Sequence, residues 1–277
     1  MDQLNELIPH ILNGECILFI GAGLSKIAGC YDWNSIVEEM IDHEVIKRRI
    51  NPNELERNRF SNEELIDFCF QCFKENGKEH DFWGIVRKAL IKDPQKFQTE
   101  YLPLINGIRK MNPFPPIITT NIDSCLEETK LFDLSKVFYE PKDFNMNNLK
   151  SLSIFHIHGY IERLKDSLLT KSKYLQRYKE RNFRRFLKSI FSNYQVLFLG
   201  YSLRDSEIKN ILLETGENIQ SHFALIPEED RYTDSDITVF LDIYKVKIVI
   251  YGPRKNFGRS LSNWIQHNFP QELELRR

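Results

Sequence analysis

The chain has 277 residues, with 38 basic and 39 acidic side chains, so its formal net charge is -1. Hydrophobic residues make up 42% and charged residues 28%, which is typical of a globular protein with a buried core and a charged surface. A nearly neutral chain has no general attraction for phosphate backbones or anionic lipids. We therefore expect neither direct sequence-specific nucleic-acid binding nor membrane association.

The cysteine content predicts a reducing compartment. Five cysteines are scattered along the chain, an odd number that does not suit a disulfide framework. The first residues lack a basic leader, and no apolar run approaches the ~20 residues that a membrane-spanning helix needs. On these grounds we expect a cytoplasmic protein with reduced thiols.

The first elements in chain order are a short helix and a buried strand. Leucine and isoleucine recur at helical spacing over residues 4–11 and stop before Asn13-Gly14. Residues 16–20 then form a continuous apolar run, which is typical of a strand buried on both faces of a parallel sheet. This strand ends in the turn Gly21-Ala22-Gly23-Leu24-Ser25.

The region after this turn is helical almost throughout. Four segments with helical periodicity are broken by Asn, Gly and Pro, at residues 33–48, 62–74, 82–92 and 96–110. No strand pattern occurs among them. We therefore predict one domain over residues 1–277 with a helical insertion at about 34–112.

Strands and helices alternate in the remainder of the chain. Apolar runs predict strands at residues 116–120, 152–158, 196–200, 223–226 and 246–251. Helices are predicted between them at residues 124–130, 173–193 and 206–213. This alternation favours an α/β fold with a doubly wound parallel, Rossmann-like sheet.

Polar or glycine residues follow four of the predicted strands. Because ligands bind beyond the carboxyl ends of parallel strands, these segments should share one site. They are the turn at residues 21–25, then Thr119-Thr120-Asn121-Ile122-Asp123, then His158-Gly159-Tyr160, and then Gly200-Tyr201-Ser202-Leu203.

The glycine turn has the chemistry of a dinucleotide site. Gly21 and Gly23 would let the backbone approach a pyrophosphate closely, and the N–H groups of the turn and the following helix would face the anion. Lys26 stands where the third glycine of the dinucleotide fingerprint would be. A tight glycine turn without a ligand therefore remains an open alternative.

Asn121 and Asp123 follow the predicted strand at residues 116–120. One interpretation makes either residue the cap of the helix that follows. The other makes the Asn121 amide a hydrogen-bonding partner of a ribose hydroxyl or a water molecule. The sequence leaves both open.

Two histidines lie near the end of the next strand. His156 and His158 alternate along residues 152–158, so we expect both on the same face. His156 lies within the strand and is interpreted as a core histidine whose hydrogen bonds are satisfied. His158 directly precedes Gly159, where a neutral imidazole could accept a proton near neutral pH.

Two further patterns are interpreted as structural. Cys69 and Cys72 have zinc-ligand spacing, but no second Cys/His pair accompanies them, so we expect core thiols. Residues 171–188 hold eight basic side chains against one acid, Glu180. A solvated helix face is the first interpretation, and a subunit or nucleic-acid contact is the alternative.

These motifs, in this order, resemble the SIR2 family. The resemblance covers the chain from Gly21 to Asp205 and implies that the first motif binds the phosphates of NAD. It also implies that Asn121 and His158 are catalytic and flank the nicotinamide ribose, and that the later Gly-x-Ser segment meets the adenosine half. The residues that it implies for binding are Gly21, Ala22, Gly23, Ser25, Asp123, Gly200 and Ser202.

The differences from protein-deacylating sirtuins indicate which members of the SIR2 family the chain is more similar to. Sirtuins carry a four-cysteine zinc module after the catalytic histidine, whereas this chain has no cysteine beyond Cys125. We therefore expect no zinc and no zinc lobe to form an acyl-lysine cleft. The chain is more similar to the bacterial SIR2-like NAD-degrading proteins of anti-phage defence.

This resemblance implies an NAD+ glycohydrolase, with NAD+ as substrate and nicotinamide and ADP-ribose as products. It further implies a homo-oligomer, with a HerA-like ATPase or a short Argonaute as possible partner. Nothing after Val246 resembles a separate effector domain, so we expect activation from outside the chain or from self-assembly. An NAD-dependent deacylase and a non-catalytic scaffold that senses NAD or ADP-ribose remain the alternatives.

Overall fold

The fold is built on one seven-stranded sheet in which all neighbouring strands are parallel. The computed structural model describes residues 1–215 and 221–270. The strands are β1 (Cys16–Ile20), β2 (Ile117–Thr119), β3 (Val137–Phe138), β4 (Ile154–His156), β5 (Gln195–Leu199), β6 (His222–Ile226) and β7 (Val246–Ile250).

The strand order β3-β4-β2-β1-β5-β6-β7 places β1 at the centre of the sheet. From β1 the chain builds one half of the sheet through β2, β3 and β4, and the other half through β5, β6 and β7. The order thus reverses between β1 and β5, which is where doubly wound sheets open a ligand crevice. The predicted Rossmann-like α/β fold is confirmed.

Helices cover both faces of the sheet, as an all-parallel sheet requires. The α-helices of the described residues are α1 (Ile8–Leu12), α2 (Ala22–Ile27), α3 (Trp33–Asp42), α4 (Glu44–Lys47), α5 (Asn62–Glu75), α6 (Glu79–Ala89), α7 (Pro94–Lys96), α8 (Leu102–Ile108), α9 (Cys125–Glu128), α10 (Lys171–Lys179), α11 (Arg181–Asn193), α12 (Ser206–Thr215), α13 (Asp234–Tyr244) and α14 (Phe257–Asn268). A π-helix at Phe97–Tyr101 joins α7 to α8.

The central strand β1 shows why the sequence folds in this way. All five of its residues are buried. Leu18 and Ile20 pack into the hydrophobic cluster on one face of the sheet, and Ile17 and Phe19 into the cluster on the other. Burial of each such side chain is worth ~1.5–3 kcal/mol, so an uninterrupted apolar run is stable only between two layers of helices.

The helices between β1 and β2 form two groups. Residues 36–89 share a hydrophobic cluster of their own, whereas residues 97–108 belong to a cluster of the sheet. Ile122, Leu164 and Leu169, which follow β2 and β4, also belong to the first group. The helical layer α3–α6 therefore packs against the loops at the carboxyl end of the sheet, where the site was predicted.

The structure departs from the sequence prediction in several elements. The two-residue strand β3 and the helices α13 and α14 were not predicted. Strand β4 is shorter than expected, because a turn begins at Ile157.

Among the described residues, no helix combines the length and the apolar character needed to cross a membrane.

Candidate functional site

The four predicted strand-end motifs lie side by side. They follow β4, β2, β1 and β5, which are consecutive neighbours in the sheet. The parallel register brings their carboxyl ends to the same edge. The sheet therefore places together segments that are up to about 180 residues apart in sequence.

The glycine turn packs directly against the end of β5. The N–H of Gly21 donates to the carbonyl of Leu199 at 3.0 Å, and that of Gly23 to the carbonyl of Gly200 at 2.8 Å. A Cβ at Gly21 would lie 2.6 Å from the Gly200 oxygen, and a Cβ at Gly23 would lie 2.8 Å from it. Both glycines are therefore required by packing, and their N–H groups are already engaged within the protein.

Gly200 makes the reciprocal contact. Its φ of +61° is a left-handed conformation that favours glycine, and a Cβ there would lie 2.5 Å from the amide nitrogen of Leu24. Ser202, two residues further on, is exposed. Its carbonyl accepts a hydrogen bond of 3.1 Å from Tyr232, so the segment after β5 is fixed at the rim of the crevice.

The Asn121 side chain links the second motif to the first. Its amide group donates to the carbonyl of Gly21 at 3.1 Å and to the hydroxyl of Ser25 at 2.8 Å. Its backbone N–H donates to Thr119 Oγ1 at 3.0 Å, which fixes the turn after β2. The Oδ1 atom of Asn121 is buried and has no hydrogen-bond partner among the described residues.

Asp123 lies just before the short helix α9. Its Oδ1 accepts the N–H of Cys125 at 3.0 Å, but the N-cap residue of α9 is Ser124, whose side chain makes no capping hydrogen bond. One ligand atom each of Asp123, Cys30 and Cys125 lies within 4.8 Å of the others. The two thiols are hydrogen-bonded to each other at 3.5 Å, and this contact together with burial raises the pKa of Cys125.

His156 belongs to a buried polar network. Its Nδ1–H donates to the carbonyl oxygen of Asn121 at 2.7 Å, and Nε2 lies 2.8 Å from Oε1 of Glu127. His156 is 1% exposed. The hydrogen bonds agree with its interpretation as a satisfied core histidine. Glu127 was missed at the sequence level, because nothing in its own helix distinguishes it from the exposed Glu128.

His158 occupies a different environment. Its Nε2 lies 2.8 Å from the Tyr178 hydroxyl, and its ring packs edge-on against Tyr174. Burial lowers its pKa to about 4. The expectation that His156 and His158 share one face is wrong, because β4 ends at His156 and the alternation does not reach His158.

Aromatic residues of α10 enclose His158. Tyr174 and Tyr178 are one helical turn apart, with ring centroids separated by 4.6 Å. Tyr174 donates to the carboxylate of Asp205, whose Oδ1 also accepts the first N–H groups of α12. The hydroxyl of Tyr201 is buried without a partner among the described residues. The sequence analysis missed this cluster, for which the i, i+4 spacing of the two tyrosines was the available signal.

The two patterns interpreted as structural behave as follows. Cys69 and Cys72 are buried in the helical layer, and burial together with Cys72 raises the pKa of Cys69 to about 12. This agrees with core thiols.

In the basic stretch, Lys188 pairs with Glu214 at 2.5 Å, and Arg184 pairs with the same carboxylate. Acidic side chains of α12 thus neutralise part of the basic face.

Comparison with known proteins gives three findings. Residues 115–249 match the family model of the SIR2-like domain. The chain is 26% identical over 238 residues to the NAD(+) hydrolase ThsA of Cytobacillus dafuensis, a match that covers 82% of this chain and 44% of that protein. It is 24% identical over 228 residues to the defense-associated sirtuin 2 of Bacillus subtilis, covering 79% of this chain and 21% of that protein.

The fold also matches a solved structure of a Sir2 homologue in complex with NAD. The TM-score is 0.50 at 13% identity, with 95% of this chain and 93% of that chain covered. This likeness concerns the fold alone. The chain spans less than half the length of the two curated relatives it matches.

Proposed function

We propose that this chain is a SIR2-like NAD+ hydrolase. In this proposal it cleaves the bond between nicotinamide and ribose, releases nicotinamide and ADP-ribose, and depletes NAD+ in anti-phage defence. The names of the two curated relatives support this assignment.

The observation that carries the proposal is the state of Asn121. An amide side chain that is 8% exposed is fixed by two hydrogen bonds to the glycine turn, yet its Oδ1 atom has no partner among the described residues. A buried acceptor without a partner costs ~1–3 kcal/mol, which a bound ligand would offset. We assign this oxygen to a ribose hydroxyl or to the attacking water.

The chemistry of the bond suits a site without a pair of catalytic carboxylates. Nicotinamide is cationic while it is bonded to ribose and leaves as a neutral molecule with the electron pair of the broken bond. No general acid is needed for its departure, unlike the usual glycoside hydrolysis. The site has to orient the ribose, tolerate a cationic transition state and accept one proton from water.

His158 is assigned the role of that proton acceptor. Because burial lowers its pKa to about 4, the imidazole is neutral at physiological pH. With Nε2–H donated to the Tyr178 hydroxyl, Nδ1 keeps the lone pair that takes the proton. The attacking oxygen forms its bond to the ribose carbon as nicotinamide departs.

The phosphates are assigned to the glycine turn. The N–H groups of Gly21 and Gly23 are engaged with β5, so we assign the phosphate contacts to Ala22 and Ser25. The Ser25 hydroxyl accepts from Asn121 and retains its own proton for donation. Gly200, Ser202 and Asp123 are assigned to shaping the adenosine and ribose ends of the crevice.

The burial of the site predicts that turnover is controlled. Asn121 and His158 are 8% and 5% exposed, so NAD+ reaches them only if the covering helices move apart. We propose that self-assembly or a partner, of which a HerA-like ATPase and a short Argonaute are the two candidates, provides this opening. We therefore expect low turnover by the isolated protein.

The test is product analysis with purified protein and NAD+, with and without each candidate partner. We expect free nicotinamide and ADP-ribose without any peptide, and ~100-fold or greater loss of turnover for Asn121→Ala and for His158→Ala. Asn263→Ala and His267→Ala, exposed residues of α14, are the matched controls. Undiminished turnover in both site variants contradicts the proposal, and nicotinamide release that requires an acyl-lysine peptide indicates a deacylase.

A further inference from the structure

We infer that the buried pair formed by Glu127 and His156 is a positioning device for Asn121. The inference rests on the proposed function, since it concerns how the asparagine is held for reaction with NAD+. Neither residue is expected to touch the substrate. Both act through the backbone at position 121.

The network connects the pair to Asn121 in two bonds. The Glu127 carboxylate contacts the imidazole at 2.8 Å, and the imidazole donates to the Asn121 carbonyl at 2.7 Å. That carbonyl belongs to the same residue whose side chain is fixed to Gly21 and Ser25. The main chain and the side chain of Asn121 are thus each held by hydrogen bonds, which restrict the position of Oδ1.

Hydrogen-bond chemistry fixes the protonation of the pair. A backbone carbonyl only accepts, so Nδ1 of His156 must carry a proton. Nε2 faces a carboxylate oxygen, so one further proton must lie between His156 and Glu127. The second carboxylate oxygen of Glu127 is buried and has no partner among the described residues, so His156 is the group that compensates its charge.

The surroundings keep this proton in place. Burial alone would lower the pKa of His156, but Glu127, the Asn121 carbonyl and Asp123 together raise it above the ordinary value. The other titratable groups that face the pair are Tyr160, whose ring centroid lies 4.8 Å from that of His156, and Tyr101. Burial raises the pKa of both phenols, so they remain neutral.

This arrangement predicts a signature in alkaline solution. When the shared proton is lost, the Nε2 lone pair faces the Glu127 carboxylate, and their repulsion displaces the imidazole that holds Asn121. A folded-state pKa that is raised is titrated on the alkaline side, so kcat should fall as the pH rises through it. Substrate binding at the glycine turn does not depend on this proton, and KM should change little.

The decisive variant is Glu127→Gln, with Glu128→Gln as the matched control on the exposed side of α9. A neutral amide can accept from Nε2–H or donate to bare Nε2, so it satisfies either state of the imidazole. We expect the alkaline fall in kcat to disappear in Glu127→Gln and to persist in the control. Both variants should bind NAD+ as the wild type does.

Two variants of His156 separate its two contacts. Asn at position 156 can imitate Nδ1–H and keep the bond to the Asn121 carbonyl, whereas Gln can imitate Nε2–H and keep only the bond to Glu127. We expect His156→Gln to lose on the order of 10- to 100-fold in kcat with KM nearly unchanged, and His156→Asn to lose less. Thermal denaturation shows which variants are folded, and Glu127→Gln remains as the test if neither histidine variant is.

The outcomes distinguish this inference from the proposed function. If the wild type releases no nicotinamide under any condition, the proposed function fails. If the wild type is active and Asn121→Ala is inactive, but Glu127→Gln keeps the wild-type pH profile, the positioning inference alone is overturned. It is likewise overturned if a folded His156→Gln keeps the wild-type kcat.

Discussion

His156 and His158 are two residues apart, yet they lie in opposite electrostatic environments. One is paired with the buried carboxylate of Glu127, and the other is enclosed by the neutral side chains of Tyr174 and Tyr178. Accordingly, the pKa of His156 is raised, and that of His158 is lowered to about 4. Burial acts on both in the same direction, so the carboxylate decides the difference.

The comparison shows that two side chains near the end of one strand can have different roles. His156 is the last residue of β4 and is held against α9, whereas His158 lies beyond the strand and faces α10. A charged histidine with two fixed partners serves as a structural anchor. A neutral histidine with one phenolic hydrogen-bond partner keeps a nitrogen available for chemistry.

The largest expected contrast is in stability. His156→Ala would leave the buried carboxylate of Glu127 uncompensated, which should reduce the free energy of unfolding by ~3–5 kcal/mol. His158→Ala removes no charge partner and should cost less in stability, while turnover falls ~100-fold or more. Urea denaturation of both variants measures this difference, and equal losses would remove the distinction between anchor and base.

The next contrast is in the pH dependence of stability. His158 is neutral in the folded protein with a pKa of about 4, so the unfolded chain binds its proton first as the pH falls below ~6.5. The free energy of unfolding therefore falls on the acid side, by on the order of 3 kcal/mol at pH 4. We expect the same effect for His222, whose pKa is also about 4.

For His156 the sign is reversed. The stabilisation that comes with its raised pKa is fully present below the pKa of the unfolded chain, and it is lost as the pH rises through the pKa of the folded state.

Denaturation curves of the wild type and His158→Gln between pH 4 and 7 test the acid side, where His158 determines the expected change. A variant that retains the full acid sensitivity of the wild type would assign that sensitivity to other groups.

The smallest expected effect concerns the phenol next to His158. Tyr178→Phe removes one hydrogen bond and keeps the ring packing, so the free energy of unfolding should fall by ~1 kcal/mol. We expect a reduced kcat as well, because the imidazole loses the group that orients it. Tyr244→Phe on α13 is a control, and a wild-type kcat in Tyr178→Phe would show that the phenol only packs.

The sequence predicts the central strands better than the edge of the sheet. Strands β1 and β5 are continuous apolar runs buried on both faces, and the sequence pattern alone identifies them. Strand β3 has two residues and exists through its pairing with β4, which no local pattern encodes. Both faces of a central strand are covered by helices and must be apolar, so the sequence itself marks the strand. An edge strand is held by pairing with a single neighbouring strand, which the sequence of the edge strand does not reveal.

The site could be predicted at the level of segments but not of contacts. The motifs around Gly21, Asn121 and Gly200 were found because polar residues directly follow buried strands. Glu127 was missed because its partner, His156, comes from a strand 29 residues further on. The orientation of His158 was predicted wrongly because β4 ends at His156, two residues before the predicted end, so the alternation of side chains does not extend to His158.

The contact between the glycine turn and Gly200 also has a consequence for biosynthesis. Strand β1 is made early, but its neighbour β5 and the backbone on which Gly21 and Gly23 pack are encoded about 180 residues later. A nascent chain that ends before Gln195 has neither the strand nor the close backbone contact. The crevice can therefore assemble only late in translation, and premature termination would yield a fragment without it.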